Sequence, residues 1–120
     1  MIRIDVIPHE HQRYNTLGDY FEVDDVLHFK ISDMGNRNYE FLILVHEMVE
    51  RHICQTMGVT DQQIDDWDFE HLDAYEPGAV NGCPYALAHL VAEQFERSLA
   101  NMIGVRWQDY EEACQKVTGK

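Results

Sequence analysis

Hydrophobic and polar positions alternate at the start of the chain. Ile2, Ile4 and Val6 are spaced by Arg3 and Asp5 until Pro8, the period of a half-buried strand that ends at a proline. The polar segment 9–13 reads as loop. Two further strand-like runs, 20–23 and 26–31, flank Asp24-Asp25 and predict a hairpin, although Asp-Asp is a poorer turn than Asp-Gly. After a loop over 32–36 the period changes to that of a helix. One helix is expected over 38–57, stopped by Gly58, and Thr60 is placed to cap a short helix from 62 to about 72. The stretch 75–84 is rich in Pro, Gly and Asn and reads as loop. A second long helix should run over 85–103 to Gly104, and a last amphipathic helix carries Trp107, Tyr110, Cys114 and Val117 on one side.

Strands first and helices after predict an α+β fold: a small antiparallel sheet, made of the N-terminal strand plus the hairpin, packed against three to four helices. A length of 120 residues fits a single domain over 1–120.

Charge narrows the classes of function. Acidic residues number 22 against 9 basic ones, for a formal charge of -13. Such a surface repels phosphate backbones, so direct nucleic-acid binding is not expected. It leaves open a cation-binding protein, a protein that docks on a basic partner, or one that is only very soluble. No apolar run reaches the roughly 20 residues of a membrane span. The N-terminus lacks the apolar stretch of a signal peptide, so a cytoplasmic location is expected and no membrane contact. Cys54, Cys83 and Cys114 form no C-x-x-C pair and are expected to be reduced, structural thiols.

The chemistry concentrates on the two long helices. On the first, His46 and Glu50 are four apart and share a face with Leu42, Ile43, Ile53, Cys54 and Met57. Phe41, Val45, Met48 and Val49 fill the opposite arc, so this helix is apolar nearly all round and is expected to be largely buried. Glu40, Glu47 and Arg51 mark its narrow polar edge. On the second, His89, Glu93 and Glu96 share a face, Glu96 lying deeper and Glu93 beside Arg97 at the edge. If the two faces meet, two imidazoles and two carboxylates enter one low-dielectric pocket, a donor set suited to zinc or another divalent first-row metal. The other reading of the same set is a buried hydrogen-bond network without metal. Glu47, next to the first histidine, stands where a zinc hydrolase keeps its general base.

The stretch from Asn38 to Glu50, with His46-Glu47-Met48-Val49-Glu50 at its end, resembles the active helix of zincin-type metallopeptidases, which carries H-E-x-x-H and takes a third ligand from a later helix. The resemblance implies a zincin-like fold, with His89 or Glu96 supplying that third ligand. Glu50 replaces the second motif histidine. Glutamate can ligate zinc, so metal binding is implied, while catalysis is weakened or lost on one reading.

The chain as a whole is also similar to a group of small phage and prophage proteins. The similarity rests on the Ser32–Asn36 loop sequence S-D-M-G-N, the H-E-x-V-E core, Trp67-Asp68, Glu76-Pro77-Gly78, Pro84-Tyr85 ahead of His89 and Glu96, and Gly104 to Trp107. It adds Asp68 as a fourth ligand or an outer partner of the site. Two further readings stand beside a metal-dependent hydrolase. One is an acidic interaction protein, a DNA mimic or binder of a basic host factor. The other is a structural protein with a buried His/Glu network. The oligomeric state is open.

Overall fold

A computed structural model describes residues 1–120. It is α+β, a three-stranded mixed sheet with four helices. Strands β1 (Ile2–Ile7), β2 (Gly18–Val23) and β3 (Val26–Ser32) lie in the order β1-β3-β2. Helices α1 (Arg37–Thr56), α2 (Asp61–Glu70), α3 (Ala86–Met102) and α4 (Trp107–Thr118) follow.

The hairpin forms as expected, with Val23 opposite Val26. Asp24 and Asp25 both take left-handed backbone angles, φ 51° and 62°, as a tight two-residue turn between right-twisted strands requires.

The expected antiparallel sheet is corrected in one pairing. β1 runs parallel to β3, with Ile2 opposite Leu27 and Val6 opposite Ile31. The cause is the connection over 8–17. It carries the chain from one edge of the sheet to the other, so β1 and β2 run in opposite directions with a strand's width between them. β3, turned back from β2 by the hairpin, fills that gap and must run with β1. The crossing loop is tied down by side chains. Gln12 Nε2 donates to the carbonyls of Leu17 and Lys30 at 3.2 and 3.0 Å. His9 Nδ1 is 2.8 Å from Ser32 Oγ and its Nε2 is 2.6 Å from Asn15 Oδ1, which gives this loop histidine a structural place.

The helices begin within a residue or two of where the sequence puts them. Asn36 caps α1 by accepting from the Tyr39 N–H, and Thr60 with Gln63 forms a full capping box on α2. α1 lies across β2 and β3 and leaves β1 largely uncovered; α3 packs along α1. Ala88, Ala92 and Ala100, all buried, let the two helices approach closely.

The apolar core is in two parts. One gathers Tyr20, Phe29, Cys54, Ile64 and Tyr85, and the other Ile31, Leu42, Ile43, Ala100 and Tyr110. On α1, His46 and Glu50 fall between Ile43 and Cys54. On α3, His89 and Glu96 fall between Ala88 and Ala100. The polar cluster therefore occupies the break between the two apolar parts. All three cysteines are free and buried, as expected.

Two expectations for α1 are overturned. The helix is not buried all round, since Phe41 and Met48 of its opposite arc are exposed. Its main contacts are with α3 and the sheet, and the side carrying Phe41 and Met48 is left open. Arg51, expected on the polar edge, is buried, where it meets Glu22 at 3.5 Å and Asp61 at 3.6 Å.

Candidate functional site

The break in the core opens into a cavity of about 140 Å³ between β2, α1, α2, α3 and α4. His46, Glu50 and His89 form its centre, each offering one ligand atom, with these atoms within 4.8 Å of one another. Helical spacing sets the arrangement: His46 and Glu50 are one turn apart on α1, and α3 brings His89 against them.

Glu50 is the hub. Its Oε2 accepts from His46 Nε2 at 3.1 Å and from His89 Nδ1 at 3.0 Å, while Oε1 accepts from the Tyr20 hydroxyl at 2.7 Å. The outward nitrogen of each histidine also meets a carboxylate. His46 Nδ1 donates to Glu96 Oε1 at 2.7 Å, and Glu96 in turn accepts the Tyr110 hydroxyl. His89 Nε2 lies 3.7 Å from Glu76 Oε2, too far for a hydrogen bond, and is left without a partner of its own.

This wiring sets the charges. Both nitrogens of His46 face acceptors, so in the absence of metal the ring carries both protons. Burial pulls its pKa down, but the hydrogen bonds to Glu50 and Glu96 outweigh that and hold it well above the ordinary 6.5. His89 is likewise depressed by burial and raised further by Glu50 and Glu76, to about 9. Glu50, which burial alone would raise, is brought down to about 2 by the two histidines.

Glu47 differs from its neighbours. It lines the cavity without a hydrogen-bond partner, and desolvation together with the charge of Glu50 pushes its pKa well above the carboxylate range. Its place is set by a close approach. A Cβ on Gly18 would stand 2.5 Å from the Glu47 side chain. The same device operates opposite, where a Cβ on Gly78 would stand 2.5 Å from the His89 ring. At both positions the backbone presses on a site residue in a way that only glycine permits.

The sequence-derived residues thus divide. His46, Glu50 and His89 come together as possible ligands. Glu96 holds the far side of His46 and is not itself among the converging atoms. Glu93 stays at the helix edge with Arg97, as its spacing suggested. Asp68 lines the same cavity, but its carboxylate is engaged by the Tyr85 and Tyr14 hydroxyls; burial raises its pKa to about 6.

Several residues of the site have no spacing in the sequence that marks them as part of it. Asp19 on β2 is buried and held by Arg13 through contacts of 2.7 and 2.9 Å. Glu76, Gly18, Gly78, Tyr20, Tyr85 and Tyr110 also line the cavity. A hint existed in Glu76-Pro77-Gly78, a rigid turn close before the helix that carries His89.

No protein-family model matches this chain, and none of the curated proteins or solved structures does so either. The site therefore rests on its own geometry. No helix is long and apolar enough to cross a membrane.

Proposed function

We propose that the chain binds one divalent first-row ion, zinc in the first instance, through His46 Nε2, Glu50 Oε2 and His89 Nδ1, and that the cavity is a zincin-like hydrolytic site. One observation carries this reading: the inner atoms of three residues converge while the outer nitrogen of each histidine faces a carboxylate. Histidines that ligate metals are characteristically oriented in this way. The separations of 3.0 and 3.1 Å around Glu50 are near the edge of a tetrahedron with bonds of roughly 2 Å, and the three ligand atoms, within 4.8 Å of one another, would draw together on the ion. Two imidazoles and a carboxylate leave a fourth position for water or substrate, as catalytic zinc sites do.

When bound, the ion would supply Lewis acidity. The chain's own groups would do the rest. Glu47, unpartnered in the cavity and with its pKa pushed up by burial and by the charge of Glu50, would take and return a proton. Tyr20 would fix the orientation of Glu50, and Glu96 with Tyr110 that of His46.

Metal analysis of the protein after equilibration with zinc and removal of excess tests the reading. The expected result is one ion per chain, lost in His46→Ala and in His89→Ala and kept in Glu47→Gln. Absence of stoichiometric zinc, repeated with cobalt and manganese, would defeat it.

A second reading has its own support, because His46 is already satisfied by two carboxylates without any ion. On that reading the cluster is a structural ion network, and the same variants lose stability with no change in metal content.

A further inference from the structure

The side of the α1–α3 pair that faces away from the cavity is apolar and uncovered. Phe41 is 45% exposed on α1, while Leu87, Phe95 and Met102 are 58%, 54% and 79% exposed on α3. Val45 and Met48 flank Phe41 on the same arc of α1. Because α1 and α3 run antiparallel, with His46 opposite Glu96 and Glu50 opposite His89, these residues flank one seam. Beyond α1 the surface continues onto β1. Ile2, Ile4 and Val6 point to the same face of the sheet as their partners Leu27, Phe29 and Ile31, yet remain exposed because no helix covers that strand.

Carboxylates are absent from this surface. Between Phe41 and His52 the two glutamates of α1, Glu47 and Glu50, point inward. On α3, Glu96 is buried, and Glu93 sits with Arg97 on the opposite flank. A chain of net charge -13 therefore keeps one face free of carboxylates.

That pattern discriminates among occupants. A basic protein would be met by carboxylates, and there are none on this face. An anionic membrane would be repelled by the chain as a whole. The area suits a self-association: seven or so large apolar side chains, each about half exposed from roughly 200 Å² in full, present about 700 Å², close to the share of about 800 Å² that one partner contributes to a standard interface. A flat two-helix face is also self-complementary about a twofold axis, where it would form a four-helix layer. We infer that this face is the interface of a homodimer, with the two cavities opening away from it. The inference is independent of metal binding.

Sedimentation equilibrium of the full chain at micromolar and higher concentrations is the test. The expected mass is twice 14.1 kDa for the parent chain and for Gln115→Glu, which adds the same charge on exposed α4. Phe41→Glu and Phe95→Glu should each sediment at 14.1 kDa with an unchanged far-ultraviolet spectrum. Should either fail to fold, Met102→Lys, at the open end of the same face, gives the same readout. A parent chain monomeric throughout, variants that remain dimeric, or a monomer that instead floats with neutral phosphatidylcholine vesicles would each overturn the inference.

Discussion

The two sides of the α1–α3 pair are made of opposite materials. Toward the cavity the helices bury His46, Glu50 and Glu96 and half-bury His89; away from it they expose Phe41, Leu87 and Phe95. An amphipathic pair ordinarily turns its apolar stripe inward and its charges to water. Here the inward side tolerates charge because it is almost completely cross-bonded. Both oxygens of Glu50, both oxygens of Glu96 and both nitrogens of His46 have partners. Desolvated ions are stable only in such company, so the network stands or falls as a unit.

The sharpest way to break the contrast is His46→Ala. Removing the imidazole leaves Glu50 and Glu96 buried without the cation between them. Loss of one partner from a buried ion network costs about 3–5 kcal/mol. Urea unfolding of the metal-free protein at neutral pH should show a loss of that size; a change below about 1 kcal/mol would mean the cluster contributes no cohesion.

Next in size is a pH effect. Folding raises the pKa of His89 from its ordinary 6.5 to about 9, because Glu50 and Glu76 overcome the opposing effect of burial. The folded state then binds the proton more tightly than the unfolded one. Its contribution is complete below pH 6.5 and is lost as pH rises through 9, roughly 3 kcal/mol at most at ~1.4 kcal/mol per pH unit. Metal-free protein should therefore lose stability between pH 6.5 and 9, and His89→Gln should flatten that decline. An equal decline in the variant would assign it to another group. If zinc occupies the site, the loaded protein should not show the decline, since a ligating nitrogen carries no proton.

Much of the cavity side was legible because helices publish their faces in sequence. The i, i+4 spacing of His46 with Glu50, and the i, i+7 spacing of His89 with Glu96, place each pair on one side before any tertiary fact is known. The depth of Glu96 relative to Glu93 followed from the same wheel. Residues on strands and loops gave no such notice. Asp19, Glu76 and Gly78 reach the site through the placement of β2 and of the 75–84 loop, which no local period encodes. Asp68 entered only through a resemblance. The direction of β1 was hidden for a related reason, since alternation of period two reads the same in a parallel and an antiparallel strand. The outer side departs from expectation because a helix apolar nearly all round need not be covered on every side.

The glycine contacts allow a smaller and more selective perturbation. Gly78→Ala would set a methyl group 2.5 Å from the His89 ring, where backbone or ring must give way. Overpacking of this kind costs about 1–3 kcal/mol. The displacement should also disturb the His89 side of the cluster while leaving the His46–Glu96 pair in place. Imidazole shifts in NMR spectra should move for His89 and stay for His46; equal movement at both would indicate that the cluster responds only as a whole. Gly35→Ala offers the control, because its Cβ would meet nothing within 4 Å and only its φ of +64° is unfavourable.

The smallest effect is the most diagnostic of the contrast, because it concerns the residue next to His89. Leu90 points away from the cavity and is half exposed. It lies on the outermost line of α3, turned away from both α1 and the Phe41–Phe95 seam. Ordinary expectation would make an aliphatic residue in a buried helix the costly one to change and a histidine the cheap one. In this helix the order is inverted. Leu90→Gln removes little that is buried and keeps a good helix former, so its cost should stay within about 0.5 kcal/mol. His89→Gln unpairs Glu50 Oε2 from a charged donor in a low-dielectric site and should cost several times as much. Unfolding curves of the two variants at pH 6, where His89 is protonated, compare them directly. Equal costs would show that polarity within α3, and not the side of the helix, decides what each residue contributes.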